Sequence, residues 1–223
     1  MLNSLKSLKE LVFTKVCIAC AAPEFWLCPT CLLPWNISVK KNCIGGKPIY
    51  FKCDYTSKTA SVILAAKESN DLNAIALLAS SISQSIIFSI SDLGLSGVIT
   101  LITIPSSPSA IRRRGRDHIK TLAESVQKDL QQKSITAYYA PILFQKKSIR
   151  DQSQLNSQQR MQNTKGKFVV KSCEIPQGAV YLIDDLVTTG ASMLEGVRAL
   201  SEAKITIAAG VTACAVGRIS LIP

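Results

Sequence analysis

Val180-Tyr-Leu-Ile-Asp-Asp-Leu-Val-Thr-Thr-Gly-Ala-Ser192 is the stretch on which the reading of this chain turns. The apolar run Ala179–Ile183 predicts a buried strand ending in two adjacent carboxylates, Asp184 and Asp185. A short loop with Thr188, Thr189 and Gly190 follows, and a helix is predicted from Ala191. Loop amides at a helix N-terminus cradle a phosphate, because unpaired N–H groups and the helix dipole both favour an anion. Thr188, Thr189 and Ser192 add hydroxyl donors, and Gly190 allows a close backbone approach. The acid pair lies just before that cradle, placed to accept hydrogen bonds from vicinal sugar hydroxyls. A phosphate cradle beside a diol acceptor describes a site for a ribose 5-phosphate. A surface turn with solvated acids explains the pattern poorly, since carboxylates at the end of a buried strand cost free energy.

Outward from this segment, strands and helices alternate. Val98–Ile104 reads as a buried strand entering the loop Pro105-Ser-Ser-Pro108, and Thr136–Phe144 as another strand. Helices are predicted over 58–91, 117–132 and 191–203, and a final strand or strand pair over 204–216. The glutamine-rich, basic stretch 145–166 reads as a mobile excursion. This alternation predicts an α/β fold with a parallel sheet and helices on both faces.

At the front, Cys17, Cys20, Cys28 and Cys31 form the pattern C-x2-C-x7-C-x2-C. Each C-x2-C brings two thiolates to the tip of a tight turn, and two such turns make a tetrahedral four-sulfur site suited to structural Zn2+. Cys43 is followed by Gly46 where a second C-x2-C would have its partner; Cys53 could substitute, or both are unpaired thiols. Cys173 and Cys214 lie in strand-like runs and read as buried core thiols. The expected organisation is an amphipathic helix over 1–16, a four-cysteine zinc-ribbon-like module over 17–53 and the α/β domain over 54–223.

With 223 residues, 47% hydrophobic and 18% charged, the chain has a folding composition and room for one sizeable core. A net charge of +11 points to anionic partners. The single histidine, His118, excludes a His-rich metal cluster and makes a Ser-His-Asp hydrolase a poor fit. The start, MLNSLKSLKELVF, has helical amphipathic spacing, not the unbroken apolar run of a secretory signal. Leu72–Ile90 carries Asn73, Gln84 and several serines and reads as a helix of the fold, so no membrane span is expected and a cytoplasmic location is. The basic excess concentrates in the cysteine module, in 105–120 and in 144–171. That clustering suits a polyanion such as single-stranded DNA, with Trp26, Trp35, Tyr50, Phe51 and Tyr55 as candidate stacking aromatics. Serving only a diphosphate is the competing account of the same charge.

The stretch 180–192 resembles the signature for 5-phosphoribosyl-1-pyrophosphate (PRPP) of type I phosphoribosyltransferases. Phe13-Thr-Lys-Val-Cys-Ile-Ala-Cys20 with Leu27-Cys-Pro-Thr-Cys31, Thr103-Ile-Pro-Ser-Ser-Pro108, Arg113-Arg-Gly-Arg-Asp-His118 and Arg150-Asp-Gln-Ser-Gln-Leu155 stand in the order of the ComF family, with Arg160, Asn163 and Phe168 following. The chain is therefore identified as resembling a ComF protein, departing from it at Gly46, where many members carry cysteine. The resemblance implies a phosphoribosyltransferase fold and makes Asp184 and Asp185 the ribose-binding and catalytic acids. It implies that Thr188, Thr189, Gly190, Ala191 and Ser192 hold the 5-phosphate. It places Pro105, Ser106 and Ser107, with Mg2+, at the pyrophosphate, and Arg112, Arg113, Arg114 and Arg116 as neutralising charges beyond it. Arg150, Gln152 and Arg160 would belong to a hood closing over substrate. Lys67 is either one more phosphate contact or a solvated lysine, and His118 a hydrogen-bonded cap residue or a neighbour of the arginines. Implied partners are PRPP, single-stranded DNA and DNA-uptake proteins such as a helicase. Transferase activity with an unknown acceptor, or PRPP sensing without turnover, are the other functions the pattern allows.

Overall fold

The computed structural model describes residues 15–146, 166–171 and 176–217. Its centre is a six-stranded sheet built from β1 (Lys40–Ile44), β2 (Lys47–Asp54), β3 (Ile99–Thr103), β4 (Ala137–Tyr139), β7 (Ala179–Val187) and β8 (Ala209–Ala215). Across the sheet these strands lie in the order β1-β2-β8-β7-β3-β4. Every pairing is parallel except β1 with β2, so the expected α/β fold with a mostly parallel sheet is what the chain adopts. A separate antiparallel pair joins β5 (Leu143–Gln145) to β6 (Phe168–Val170).

Side-chain alternation along the strands feeds two cores. On one face Leu101, Tyr181, Ile183 and Val211 meet Ile75, Leu78, Ile82 and Ile86 of α3 (Leu72–Asp92) and Ile119, Leu122, Val126 and Leu130 of α5 (His118–Gln132). On the other, Ile49, Phe51, Ile102, Val180 and Leu182 meet Met193, Ala199 and Leu200 of α6 (Ala191–Glu202), with Leu143 and Phe168 of the small sheet. Each fully buried Leu or Ile contributes about 1.5–3 kcal/mol, which makes these two layers the main source of stability. α3 is long and apolar enough to cross a bilayer by length and composition alone, but 56% of its apolar window is buried here, as the central helix of the first layer.

Several local expectations change on folding. The helix read across 58–91 is two helices, α2 (Ser57–Ser69) and α3: Asn70 adopts the left-handed conformation (φ 55°) that closes α2, and the Asp71 carboxylate accepts the Ala74 N–H at 2.9 Å to open α3. The strand read over 136–144 divides at Pro141, which has no N–H to donate, leaving β4 in the main sheet and β5 in the small one. The strand expected to end before the acid pair runs on to Val187, because β8 continues to pair with it through Asp184–Thr212, Leu186–Cys214 and Val187–Ala215. The expected boundary at 53/54 falls inside β2, a full strand of the main sheet parallel to β8. The cysteine turns lead toward β1 through α1 (Pro29–Leu32), which carries Cys31, and the 3-10 turn Leu33–Trp35. Gly45 and Gly46 form the β1–β2 turn with φ of 56° and 73°, a conformation that disfavours a cysteine at 46.

The aromatic reading also changes. Trp35, Tyr50 and Phe51 are buried and cannot stack on bases, and the Trp26 indole N–H donates to Asp71 at 3.0 Å. Cys214 is buried as expected; its sulfur lies 3.0 Å from that of Cys53 on β2, so Cys53 belongs to the sheet core and not to a metal site. Cys43 is exposed, and Cys173 lies outside the described residues, as does 1–14 of the expected N-terminal helix.

Gly178 immediately precedes β7 at φ 65°, where an added Cβ would run into the Val98 carbonyl that accepts the Ala179 N–H. Gly178→Ala is expected to destabilise the protein by about 2–3 kcal/mol through this backbone conflict, measurable as a lower urea midpoint with unchanged slope.

Candidate functional site

The acid pair sits where the sheet changes direction. From β3 the chain crosses one face through α4 (Pro108–Arg114) and α5 to reach β4; from β7 it crosses the opposite face through α6 to reach β8. Neighbouring strands whose connections leave on opposite faces open a crevice beyond their carboxyl ends, where α/β proteins bind ligands. β3 pairs with β7 only as far as Thr103–Ile183, and the last link is the Ile104 N–H to the Ile183 carbonyl at 2.9 Å. Beyond it β3 becomes the loop 104–107, while β7 continues alone on that edge with Asp184 and Asp185.

A cavity of about 350 Å³ occupies this crevice. Asp184, Asp185 and Thr188 line it from β7 and its loop, Pro105, Ser106 and Ser107 from the loop after β3, Arg114 from α4, His118 from α5 and Lys67 from α2. Thr189, Gly190, Ala191 and Ser192 follow directly as the turn into α6. Gly190 is its N-cap at φ 76°, and the Thr189 hydroxyl accepts the Ala191 N–H at 3.4 Å. The amides of the first helical turn have no intrahelical acceptor, as at every helix start.

The arginines divide. Arg114 lines the cavity and, with Arg113, binds Glu68. Arg116 donates to the carbonyls of Ala66 and Lys67 at 2.9 and 3.0 Å, at the end of α2. Arg112 is exposed on α4 and is absent from the cavity lining. Arg150, Gln152 and Arg160 lie outside the described residues.

Asp185 is 3% exposed, and its Oδ2 accepts two donors: Lys67 Nζ at 3.0 Å and His118 Nε2 at 2.9 Å. The family resemblance singled out both donors without giving them this partner: Lys67 is neither solvated nor free, and His118 is not a cap residue but the first residue of α5, turned onto β7. Burial works against the Asp185 charge, yet the His118 hydrogen bond and the Lys67 ammonium overcome it, so its carboxyl sits far below the ordinary carboxylate range. Asp184 goes the other way. Burial and the charge on Asp185 push its carboxyl well above that range, although its Oδ1 accepts the Asp185 N–H at 2.9 Å. Two adjacent acids in unlike surroundings are thereby driven apart in acidity, leaving one firmly ionised and one easily protonated.

The second cluster is the four cysteines, whose sulfurs all lie within 4.8 Å of one another. Cys20 and Cys28 sulfurs are 3.6 Å apart, near the roughly 3.8 Å edge of a tetrahedron of thiolates around zinc. Cys17 accepts the Cys28 N–H at 3.4 Å; burial opposes its ionisation, but this and other backbone N–H bonds bring its thiol down to about 6. Burial and the neighbouring thiols push Cys31 up to about 12. The set can hold a metal ion such as zinc.

No protein-family model matches the sequence, and comparison with curated proteins gives no match. Among solved structures, the chain is similar to hypoxanthine-guanine phosphoribosyltransferase from Schistosoma mansoni in complex with IMP, with a TM-score of 0.29 and 10% identity. The match covers 64% of this chain and 66% of that enzyme, just under two thirds of its length.

The two acids have opposite pH signatures. A depressed acid such as Asp185 stabilises the fold above its unfolded value, near 4, and loses that contribution as pH falls through the folded value. A raised acid such as Asp184 costs stability as pH climbs above about 4. Asp184→Asn is therefore expected to raise the melting midpoint by about 3 °C at pH 7, with the gain shrinking toward pH 4. Asp185→Asn is expected to lower stability by roughly 3 kcal/mol at pH 7, because it strands Lys67 beside a buried imidazole. Thermal melts of both variants at pH 4 and pH 7 check the two signs.

Proposed function

We propose that the crevice binds a phosphorylated ribose, PRPP above all. The observation that carries this reading is the convergence of Asp184, Asp185 and Thr188 on one cavity, with the start of α6 directly beyond. In this reading Asp184 and Asp185 accept the sugar hydroxyls. Thr188, Thr189, Gly190, Ala191 and Ser192 take the 5-phosphate through amides and hydroxyls. Pro105, Ser106 and Ser107 approach the diphosphate from the opposite wall. Arg114 lines the same cavity, its charge shared with Glu68.

Departure of diphosphate leaves positive charge on the ribose C1, as in glycoside cleavage, so the barrier to transfer is electrostatic. Asp184 and Asp185 would orient the ring and Arg114 would favour the leaving oxygens. The hard oxygens of Asp184 and of the serine loop are donors that suit Mg2+, which would supply charge to the diphosphate when bound. Calorimetry with PRPP and magnesium is expected to give a binding isotherm that weakens at least tenfold in Asp184→Asn. Released pyrophosphate, measured in parallel with candidate acceptors, separates a transferase from a sensor. No heat from PRPP or from ribose 5-phosphate would overturn the proposal.

For the four cysteines we infer structural zinc. Soft thiolates and a closed set of four donors suit a site without an open position. Both tryptophans of the chain, Trp26 and Trp35, lie within seven residues of a cluster cysteine, so intrinsic fluorescence reports this region. Zinc removal by a strong chelator, or Cys17→Ser, is expected to red-shift the emission and lower the melting midpoint by more than about 5 °C. A spectrum and midpoint unmoved by chelation of protein shown to hold zinc would reject the structural role.

The ComF resemblance adds single-stranded DNA and a DNA-uptake helicase as partners in the cytoplasm. With Trp35, Tyr50 and Phe51 in the core and Tyr55 exposed, such binding would rest mainly on lysines and arginines and fall steeply with salt.

A further inference from the structure

Lys67 and His118 come from different helices, α2 and α5, and meet at one oxygen of one carboxylate. Their two donors fill Oδ2 of Asp185, at 3.0 and 2.9 Å. Among the described residues, none donates a hydrogen bond to its Oδ1, while Asp185 itself lines the cavity. The imidazole is held in turn: its Nδ1 lies 3.4 Å from Arg114 Nη1, and Arg114 is paired with Glu68, the residue after Lys67. With Nε2–H directed at the carboxylate, Nδ1 accepts from the guanidinium. The charged and titratable groups around Asp185 are therefore Lys67 and Glu68 of α2, Arg114 of α4, His118 of α5 and Asp184 of its own strand, with the Cys214 thiol of β8 behind it.

We infer that Lys67 and His118 are positioning residues for the sugar. They pin Oδ2 of Asp185 to the protein so that only Oδ1 is left for a ligand hydroxyl. This deepens the sugar-phosphate reading and rests on it. A carboxylate with a freely turning terminal torsion loses that freedom when it binds a hydroxyl; one already held by two donors does not, and binds more tightly for it. The arrangement also makes the acid pair unequal. Asp185 is held by two side-chain donors, whereas among the described residues Asp184 accepts only the Asp185 N–H. Preference for a vicinal diol then depends on residues that need not touch the ligand.

The test compares ribose 5-phosphate with its 2-deoxy and 3-deoxy analogues by calorimetry on the full chain. Wild type is expected to prefer the diol over at least one deoxy sugar. His118→Ala and Lys67→Met are expected to weaken ribose 5-phosphate binding about tenfold, the scale of one charge-assisted hydrogen bond, and to erase most of that preference. His118→Gln, whose amide N–H can reach the same oxygen, should recover most of the loss. In an Asp185→Asn background, His118→Ala should cause no further loss, since the histidine acts only through that acid. A His118→Ala protein that keeps the wild-type preference, or loses affinity equally for all three sugars, overturns the positioning role and leaves the sugar-phosphate site standing. Wild type that binds none of the three overturns the positioning role, and wild type that also gives no heat with PRPP overturns both.

Discussion

A carboxylate almost sealed from water needs compensating charge, and the arrangement of this protein around Asp185 supplies it. Lys67 and His118 reach Asp185 from two helices that are remote in sequence, and Arg114 connects His118 back to Glu68 on α2. One buried anion thus ties α2, α4 and α5 to the end of β7. Removing any partner would strand another group, so the cluster resists piecemeal loss. It sits beside the opening left where β3 turns away from β7, and the same network that supports the fold furnishes the wall of the cavity.

The metal-type cluster is joined to the same core. Cys17, Cys28, Cys31 and Trp35 pack in the hydrophobic layer that contains Tyr50, Ile75 and Leu78, and Trp26 is bonded to the residue that caps α3. An ion held by the four thiols would therefore brace one face of the sheet as well as its own turns. On the opposite face, Glu195 of α6 accepts the Phe168 N–H at 3.0 Å, and Arg198 donates to the Phe168 carbonyl at 3.1 Å. This fastens the small sheet to the helix whose first turn follows Thr188.

Much of the architecture was legible from local pattern. The β-branched run at 98–104 and the apolar run at 179–183 favour strands covered on both faces, and the spacing of the four cysteines brings their sulfurs together. Boundaries were less legible where a partner strand decided them. Nothing in Asp184–Val187 marks a strand; β8 beside it does. Tyr50 and Phe51, which look like an aromatic platform in the sequence, became core because β2 joined the sheet between β1 and β8.

By itself the amino-acid order determined which chemistry was on hand: an acid pair, hydroxyls and a glycine before a helix, four thiols at metal spacing, a lone histidine among arginines. Only the tertiary structure decided which of these groups share a cavity and which satisfy one another. Pairing of Lys67 and His118 with Asp185 spans 118 and 67 residues of chain, and Arg116, which looked free to meet an anion, is committed to carbonyls at the end of α2. The physical reason is range. Backbone propensity and turn chemistry act over a few residues, whereas burial and charge compensation act between whatever surfaces the packing of helices on the sheet brings together.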